Sequence, residues 1–236
     1  SLILAVTSSC FCLAASKRWL RSSNRFWYTE HRDQLPEELR RSVPRGSDNR
    51  ACVHHMPDTV TKIEGKPLCY GGLCVEEIIF SKNLSSMASF AFAGCKSLKS
   101  VDLSETKLKT IRKKAFLDCI NLETVKLPKK LKSIEEYAFS RIAAKEIIFP
   151  ASVEKIATNA IFPGWSDQKM SITDLYFEGT DAIEFIIPGR EFPLKIHCKK
   201  DSALWKMLED QNDYNLNRKA LFGENKNVSI ELVDYQ

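Results

Sequence analysis

The chain repeats itself with a period of 22 to 24 residues, and this limits its fold more than any other feature. Two further patterns keep the same phase: a pair of apolar residues three positions apart, and a dipeptide of the kind Ala115-Phe116. The clearest pattern is an apolar–variable–apolar tripeptide, which ends at Met56, Phe80, Leu103, Leu127 and Phe149. Patterns that share one phase over five copies predict a stack of repeats.

Each repeat carries a short strand whose inward side chains one unit cannot bury alone. Stacking successive units would join these side chains into one continuous core. Strand alternation directs Val101 and Leu103 inward, and Ser100 and Asp102 outward. The apolar pairs and the Ala-Phe dipeptides then fill the opposite wall. The pattern therefore predicts a curved solenoid with a parallel sheet.

Residues 98–139, LKSVDLSETKLKTIRKKAFLDCINLETVKLPKKLKSIEEYAF, resemble the BspA-type leucine-rich repeat, also called the Treponema pallidum type. The resemblance covers 53–200 and is closest over 84–156. It implies a leucine-rich-repeat solenoid of about six units, with short strand, turn or helix segments on the wall opposite the sheet. The repeat is stretched between Phe149 and Phe177, and terminal units of such arrays are expected to be atypical.

The last segment, 201–236, is predicted to cap the core. A helix over 201–211 would begin at Asp201 or Ser202. An edge strand is predicted over 228–233. The helix would turn four side chains toward the core, namely Ala203, Leu204, Met207 and Leu208.

The first 52 residues differ from the repeats. Residues 1–15 are uncharged and mostly apolar, which suits the core of a secretion signal, although the basic segment that should precede it is absent. The alternative is a terminus without structural consequence.

Residues 16–52 carry nine Lys and Arg against five acids and are predicted to be a disordered linker. The alternative is a nucleic-acid-binding arm, which tryptophans among arginines also resemble. The remainder of the chain nets only +1, so no global nucleic-acid surface is predicted.

The sequence offers little material for catalysis. It contains four histidines and no phosphate-binding or hydrolase motif, so we predict no enzyme activity. One group has zinc-ligand residue types, but its spacing matches no standard zinc finger: Cys52, His54, His55, Cys69 and Cys74. We therefore predict no metal and no cofactor.

The remaining cysteines suggest two further expectations. In a secreted chain, Cys69 and Cys74 could form a disulfide. Cys95 and Cys119 share one repeat position and are predicted to be buried thiols that act as small hydrophobic residues.

The outward positions of the strands form the candidate binding face. Apolar residues in one patch rimmed by charge suit a protein interface, although scattered exposed apolar residues are also normal. The predicted protein-binding ladder is Ile79, Asp102, Lys126, Ile148, Tyr176 and His197. A neighbouring ladder runs through Glu77, Ser100, Thr124, Glu146, Asp174 and Lys195.

A solenoid without catalytic groups usually binds another macromolecule. The resemblance implies an extracellular or cell-surface adhesion protein that binds a protein partner. The Asn-x-Ser triplets at Asn83 and Asn227 predict glycosylation sites if the chain is secreted. We expect a monomer without a transmembrane span and without a nucleic-acid partner. The alternatives are an intracellular scaffold or regulator, and anion or nucleic-acid binding through 16–52.

Overall fold

The computed structural model describes residues 2–7, 10–13, 52–65, 75–157, 159–162, 171–185, 194–210 and 230–235. Short strands, most of them paired in parallel, recur in successive turns of a solenoid, which confirms the predicted fold class. The strands are β1 (Leu2–Thr7), β2 (Cys10–Leu13), β3 (Cys52–His55), β4 (Val60–Gly65), β5 (Val75–Ile79), β6 (Ser86–Met87), β7 (Ser100–Asp102), β8 (Thr110–Ile111), β9 (Thr124–Lys126), β10 (Ser133–Ile134), β11 (Glu146–Phe149), β12 (Lys155–Ile156), β13 (Asp174–Phe177), β14 (Glu184–Phe185), β15 (Leu194–Cys198) and β16 (Ile230–Asp234).

The apolar tripeptides form one wall of the solenoid. Its strands pair in the orders β3-β5-β7-β9 and β11-β13-β15-β16, and all of these pairs are parallel. The alternation is as predicted, because Val101 and Leu103 are buried while Asp102 is exposed. The stretched repeat keeps this register, since Phe149 pairs directly with Phe177.

The opposite wall carries a second run of short parallel strands joined by turns, within the predicted strand, turn or helix segments. Four two-residue strands pair in the order β14-β12-β10-β8, and β4 pairs with β6. Each of the five two-residue strands, β6, β8, β10, β12 and β14, ends on a buried apolar residue. These residues are Met87, Ile111, Ile134, Ile156 and Phe185. The short strands explain why apolar pairs recur in the same phase as the tripeptides.

A column of aromatic rings fills the space between the walls. The ring of Phe116 stacks on Phe92 at 5.2 Å between centroids and on Phe139 at 5.3 Å, with the planes nearly parallel. All three rings are fully buried. The alanine before each phenylalanine is also buried and leaves room for this column.

The two repeat-position cysteines differ. Cys119 is a buried free thiol, as predicted, and burial raises its pKa to about 12. The prediction for Cys95 is wrong in one respect: it is buried, but it is disulfide-bonded.

Each repeat also bends at a left-handed residue that follows the Ala-Phe dipeptide. Gly94, Asp118 and Arg141 occupy this position, with φ of 72°, 61° and 62°. The equivalent position before the dipeptide is likewise left-handed in Phe90 and Lys114. Non-glycine residues accept this conformation at a cost of about 1–2 kcal/mol, so the repeat geometry imposes it.

Gly94→Ala is expected to destabilise the protein by about 1 kcal/mol through the backbone alone. A Cβ at this position would meet no heavy atom within 4 Å, so no steric clash contributes. Arg141→Gly, at the equivalent position, should change stability in the opposite direction but by less, because it also removes the half-exposed ion pair of Arg141 Nε with Asp118 Oδ1 at 3.0 Å. Urea denaturation of the two variants tests this; a Gly94→Ala variant more stable than wild type would contradict it.

The C-terminal cap contains a helix at residues 203–210, which Ser202 caps by accepting a hydrogen bond from the Trp205 amide. Leu204 and Leu208 are buried as predicted, and Met207 packs partly buried against the core. The prediction for Ala203 is wrong, because it is exposed. It precedes Leu204 by one residue, a rotation of about 100° around the helix axis.

The N-terminal predictions fall largely outside the described residues. β1 pairs antiparallel with β2 and parallel with β4, while cleavage of residues 1–15 stays a prediction. Residues 16–51, Cys69 and Cys74 lie outside the described part, as do the side chains of Cys52, His54 and His55. Among the described residues, no helix is long and apolar enough to cross a membrane.

Candidate protein-interaction face

The outward side of the tripeptide strands carries the six predicted binding residues in two groups. Ile79, Asp102 and Lys126 are paired across β5, β7 and β9. Ile148, Tyr176 and His197 are paired across β11, β13 and β15. The strand pairing is interrupted between β9 and β11, so the two groups lie in separate sheets, and binding through all six residues stays a prediction.

The first group is largely neutralised within itself. Lys126 Nζ lies 3.0 Å from Asp102 Oδ2, and Asp102 Oδ1 accepts hydrogen bonds from the Ser104 amide and hydroxyl. Partial burial opposes ionisation of Asp102, but the bonds from Ser104 and Lys126 outweigh it and lower its pKa. Ile79, 42% exposed, is the apolar part of this group.

The second group is built around a stack of two rings. The rings of Tyr176 and His197 lie 4.1 Å apart between centroids and 10° from parallel. His197 Nε2 is 2.8 Å from Asp174 Oδ1, and the Thr173 hydroxyl donates to Asp174 Oδ2 at 2.7 Å. An ionised carboxylate can only accept, so Nε2 carries the proton in this bond. The imidazole is thereby fixed between a ring and a carboxylate.

Two residues extend the second group and were not predicted. Val233 on β16 pairs with His197 and continues the ladder by one strand. The Tyr235 ring meets Tyr176 edge to face at 5.6 Å and is 36% exposed. The sequence carried a signal for both, since alternation from the inward Ile230 and Leu232 turns Val233 and Tyr235 outward.

Excess negative charge surrounds this aromatic patch, which consists of Ile148, Tyr176, His197, Val233 and Tyr235. Lys195 is compensated by Glu231, with 3.3 Å between Nζ and Oε2. Glu146, exposed beside Ile148, has no ion-pair partner among the described residues. Partial burial, with Asp174 and Glu146 nearby, raises the pKa of Tyr176, so its phenol is neutral at physiological pH.

Asp174→Asn is expected to destabilise the protein by about 1.5–3 kcal/mol at pH 7, the range for a hydrogen bond to a charged group. Burial opposes ionisation of Asp174, but the bonds from His197 and Thr173 lower its pKa below the ordinary value. A lowered folded-state pKa stabilises above the unfolded-state value near 4, and this stabilisation disappears as the pH falls through the folded-state pKa. Urea denaturation at pH 7 and pH 3 should therefore show the difference between variant and wild type shrinking in acid, whereas the exposed Asp181→Asn gives none at either pH.

Comparison with known proteins agrees with this architecture. Residues 53–164 match the BspA type Leucine rich repeat region in six copies. The repeats at residues 53–164 are of the BspA leucine-rich repeat type. A crystal structure of a leucine-rich repeat protein from Bacteroides ovatus is similar at 17% identity, over 61% of this chain and 56% of that one, with a TM-score of 0.32. No curated protein matches the chain.

Two further predicted features bear on this BspA-type repeat domain. Asn83 Nδ2 donates to the Asp58 carbonyl at 2.9 Å, which engages one of its two hydrogens and leaves the other for a glycan. Asn227 lies outside the described residues. Within the described part of the chain, no three His, Cys, Asp or Glu side chains are grouped as a metal site would require.

Proposed function

We propose that this BspA-type repeat domain is a non-enzymatic interaction module that binds a protein partner through the aromatic patch. The observation that carries the proposal is a pre-ordered set of rings on the sheet, in which the half-buried Tyr176 and His197 are flanked by the exposed Ile148 and Tyr235. Tyr176 and His197 are already stacked, so binding would immobilise few additional side chains. Aromatic residues in the centre of a patch commonly dominate binding energy.

The negative charge left uncompensated on the face indicates a partner with positively charged side chains. Glu77 and Glu146 are exposed and have no ion-pair partner among the described residues, whereas Lys126 and Lys195 are each compensated. A partner surface that combines apolar side chains with Lys or Arg would match this face. The association rate should consequently fall as the salt concentration rises.

We further propose that the protein acts outside the cell, as a secreted or surface-attached adhesion protein. The family resemblance supports this, and so does the disulfide at Cys95, because disulfides persist in oxidising compartments. An intracellular scaffold is the alternative. Intact mass and N-terminal sequencing of the native protein distinguish them: a chain cleaved near Ala15 with glycan on Asn83 or Asn227 supports secretion, whereas eight reduced thiols on an unmodified chain support the scaffold.

The double variant Ile148→Asp and Tyr176→Ala should lower affinity for the partner by about 1,000-fold, because hot-spot residues contribute about 2 kcal/mol or more each and every 1.4 kcal/mol is a factor of ten. Binding would be measured against immobilised extracellular-matrix and plasma glycoproteins and against intact cells. The control is Ile120→Asp, a similarly exposed isoleucine, 49% against 44%, in a turn outside the face. Ile79→Asp tests the first group separately.

Three results would decide the site. Loss only in the double variant supports the aromatic patch, and additional loss in Ile79→Asp extends the interface over both groups. A double variant with wild-type affinity and unchanged circular dichroism would disprove binding through this patch.

A further inference from the structure

The wall opposite the interaction face carries one short sequence pattern in two consecutive repeats. Lys107-Leu108-Lys109-Thr110 and Lys130-Leu131-Lys132-Ser133 differ only at the hydroxyl residue. Leu108 and Leu131 are fully buried, whereas all four lysines are exposed. The leucines therefore fix the lysines on the outside of the wall.

The strand register brings the two copies side by side. Thr110 pairs with Ser133 across β8 and β10, and their hydroxyl oxygens lie 2.9 Å apart. The amide of Lys132 donates to the carbonyl of Lys109 at 2.8 Å. Equivalent residues of paired strands are separated by about 4.8 Å. Four lysines and two hydroxyls thus form one compact strip, the basic row: Lys107, Lys109, Thr110, Lys130, Lys132 and Ser133.

Most of the positive charge in the basic row is uncompensated. Lys107 Nζ is 2.8 Å from Asn83 Oδ1, which is a neutral amide oxygen. Lys109 and Lys130 have no carboxylate within ion-pair distance in the described part of the chain. Lys132 alone in the row pairs with an acid, Glu154 of the next repeat.

Other lysines near the row show the opposite arrangement. Lys113 lies 2.6 Å from Glu136, Lys155 lies 2.6 Å from Glu184, and Lys129 lies 2.8 Å from Glu105. Pairing with the neighbouring repeat is therefore the usual state of a lysine here. Three of the four lysines in the basic row lack such a pairing, and they lie in two adjacent repeats. Residues 53–236 as a whole carry a net charge of only +1.

We propose that the basic row binds a linear sulfated polysaccharide. The ammonium groups of Lys107, Lys109 and Lys130 are donors without a carboxylate partner, and they match sulfate oxygens. Of the two hydroxyls, one donates to the other, which leaves one hydroxyl hydrogen for a sulfate. The row follows the stacking direction of the repeats, so successive sulfates of an extended chain could be met by successive strands. Because the row lies on the wall opposite the aromatic patch, the polysaccharide and a protein partner would not compete for the same side chains.

The composition of the row favours this ligand over other polyanions. The row contains no aromatic side chain, on which the bases of a single-stranded nucleic acid would stack. It contains no exposed apolar side chain that could enter a lipid interface. Its cations are all lysines, which act as point charges rather than as bidentate readers of base edges.

The test compares binding of a size-defined heparin oligosaccharide to the full chain and to two triple variants. Lys107→Ser, Lys109→Ser and Lys130→Ser together should weaken binding by at least about tenfold and reduce its salt dependence. The control is Lys145→Ser, Lys199→Ser and Lys206→Ser, which removes the same charge from exposed positions outside the row. It should weaken binding by no more than about twofold.

Three outcomes would overturn the proposal. The first is no heparin binding by the wild-type chain at low salt. The second is equal loss in the two triple variants, which would assign the affinity to general charge, including residues 16–52. The third is equally tight, row-dependent binding of an oligonucleotide or of phosphatidylserine vesicles, which would assign the row to that ligand. None of these outcomes bears on protein binding at the aromatic patch.

Discussion

Phe116→Ala is expected to lower the free energy of unfolding by about 3–5 kcal/mol, the range for removing a buried phenylalanine ring. The ring lies between Phe92 and Phe139 and is fully buried. Its loss would open a cavity that both neighbouring repeats line, and the rigid strand pairing on either wall would limit collapse into it. Urea denaturation followed by circular dichroism measures the effect.

The matched control is Phe90→Ala. Phe90 is 40% exposed and contacts the Lys114 ammonium at 5.2 Å from the ring centroid. A cation–π contact at an exposed site contributes about 0.5–1 kcal/mol, so the control should lose no more than this. Similar losses in the two variants would show that the stacked column does not dominate the stability of the central repeats.

Val101→Asp is expected to unfold the central repeats, with a loss above about 4 kcal/mol. Val101 is 1% exposed on β7 and pairs with Ile78 and Val125, which are also inward. A carboxylate there would lie among apolar side chains without a partner. Because each repeat is stabilised by its neighbours, the damage should spread to the adjoining turns.

Thr124→Asp provides the comparison for this variant. Thr124 lies on the next strand, β9, but points outward and is exposed. The same carboxylate should therefore change stability by less than about 0.5 kcal/mol. Thermal unfolding of the two variants distinguishes them, and equal destabilisation would contradict the inward and outward assignment of the strands.

The sequence was sufficient to predict the repeat fold because each repeated position has one physical role. Apolar residues at Val101 and Leu103 can only be buried by stacking, and the register that stacks them also stacks Phe92 on Phe116. The outward residues Tyr176 and His197 follow from the same alternation. These predictions needed no information beyond phase, which is why they agree with the structure.

The position of a residue within the repeat does not predict features that depend on contacts between particular repeats. The apolar pattern is the same on either side of the interruption between β9 and β11, so the pattern predicts one ladder of six outward residues. The bond from His197 to Asp174 joins residues of different ladders, which alternation alone treats separately. Cys95 is disulfide-bonded whereas Cys119 is a free thiol, although their equivalent repeat positions predict the same chemistry for both.

The free thiols of Cys119 and Cys198 can be used as chemical probes of how fast the solenoid opens locally. Burial raises their pKa values to about 12 and about 11, so neither is a ready nucleophile while its turn is closed. Alkylation can then proceed only as fast as the surrounding turn opens. One thiol reports on the middle of the array and the other on the C-terminal end, so pulsed labelling would reveal the order in which the turns come apart.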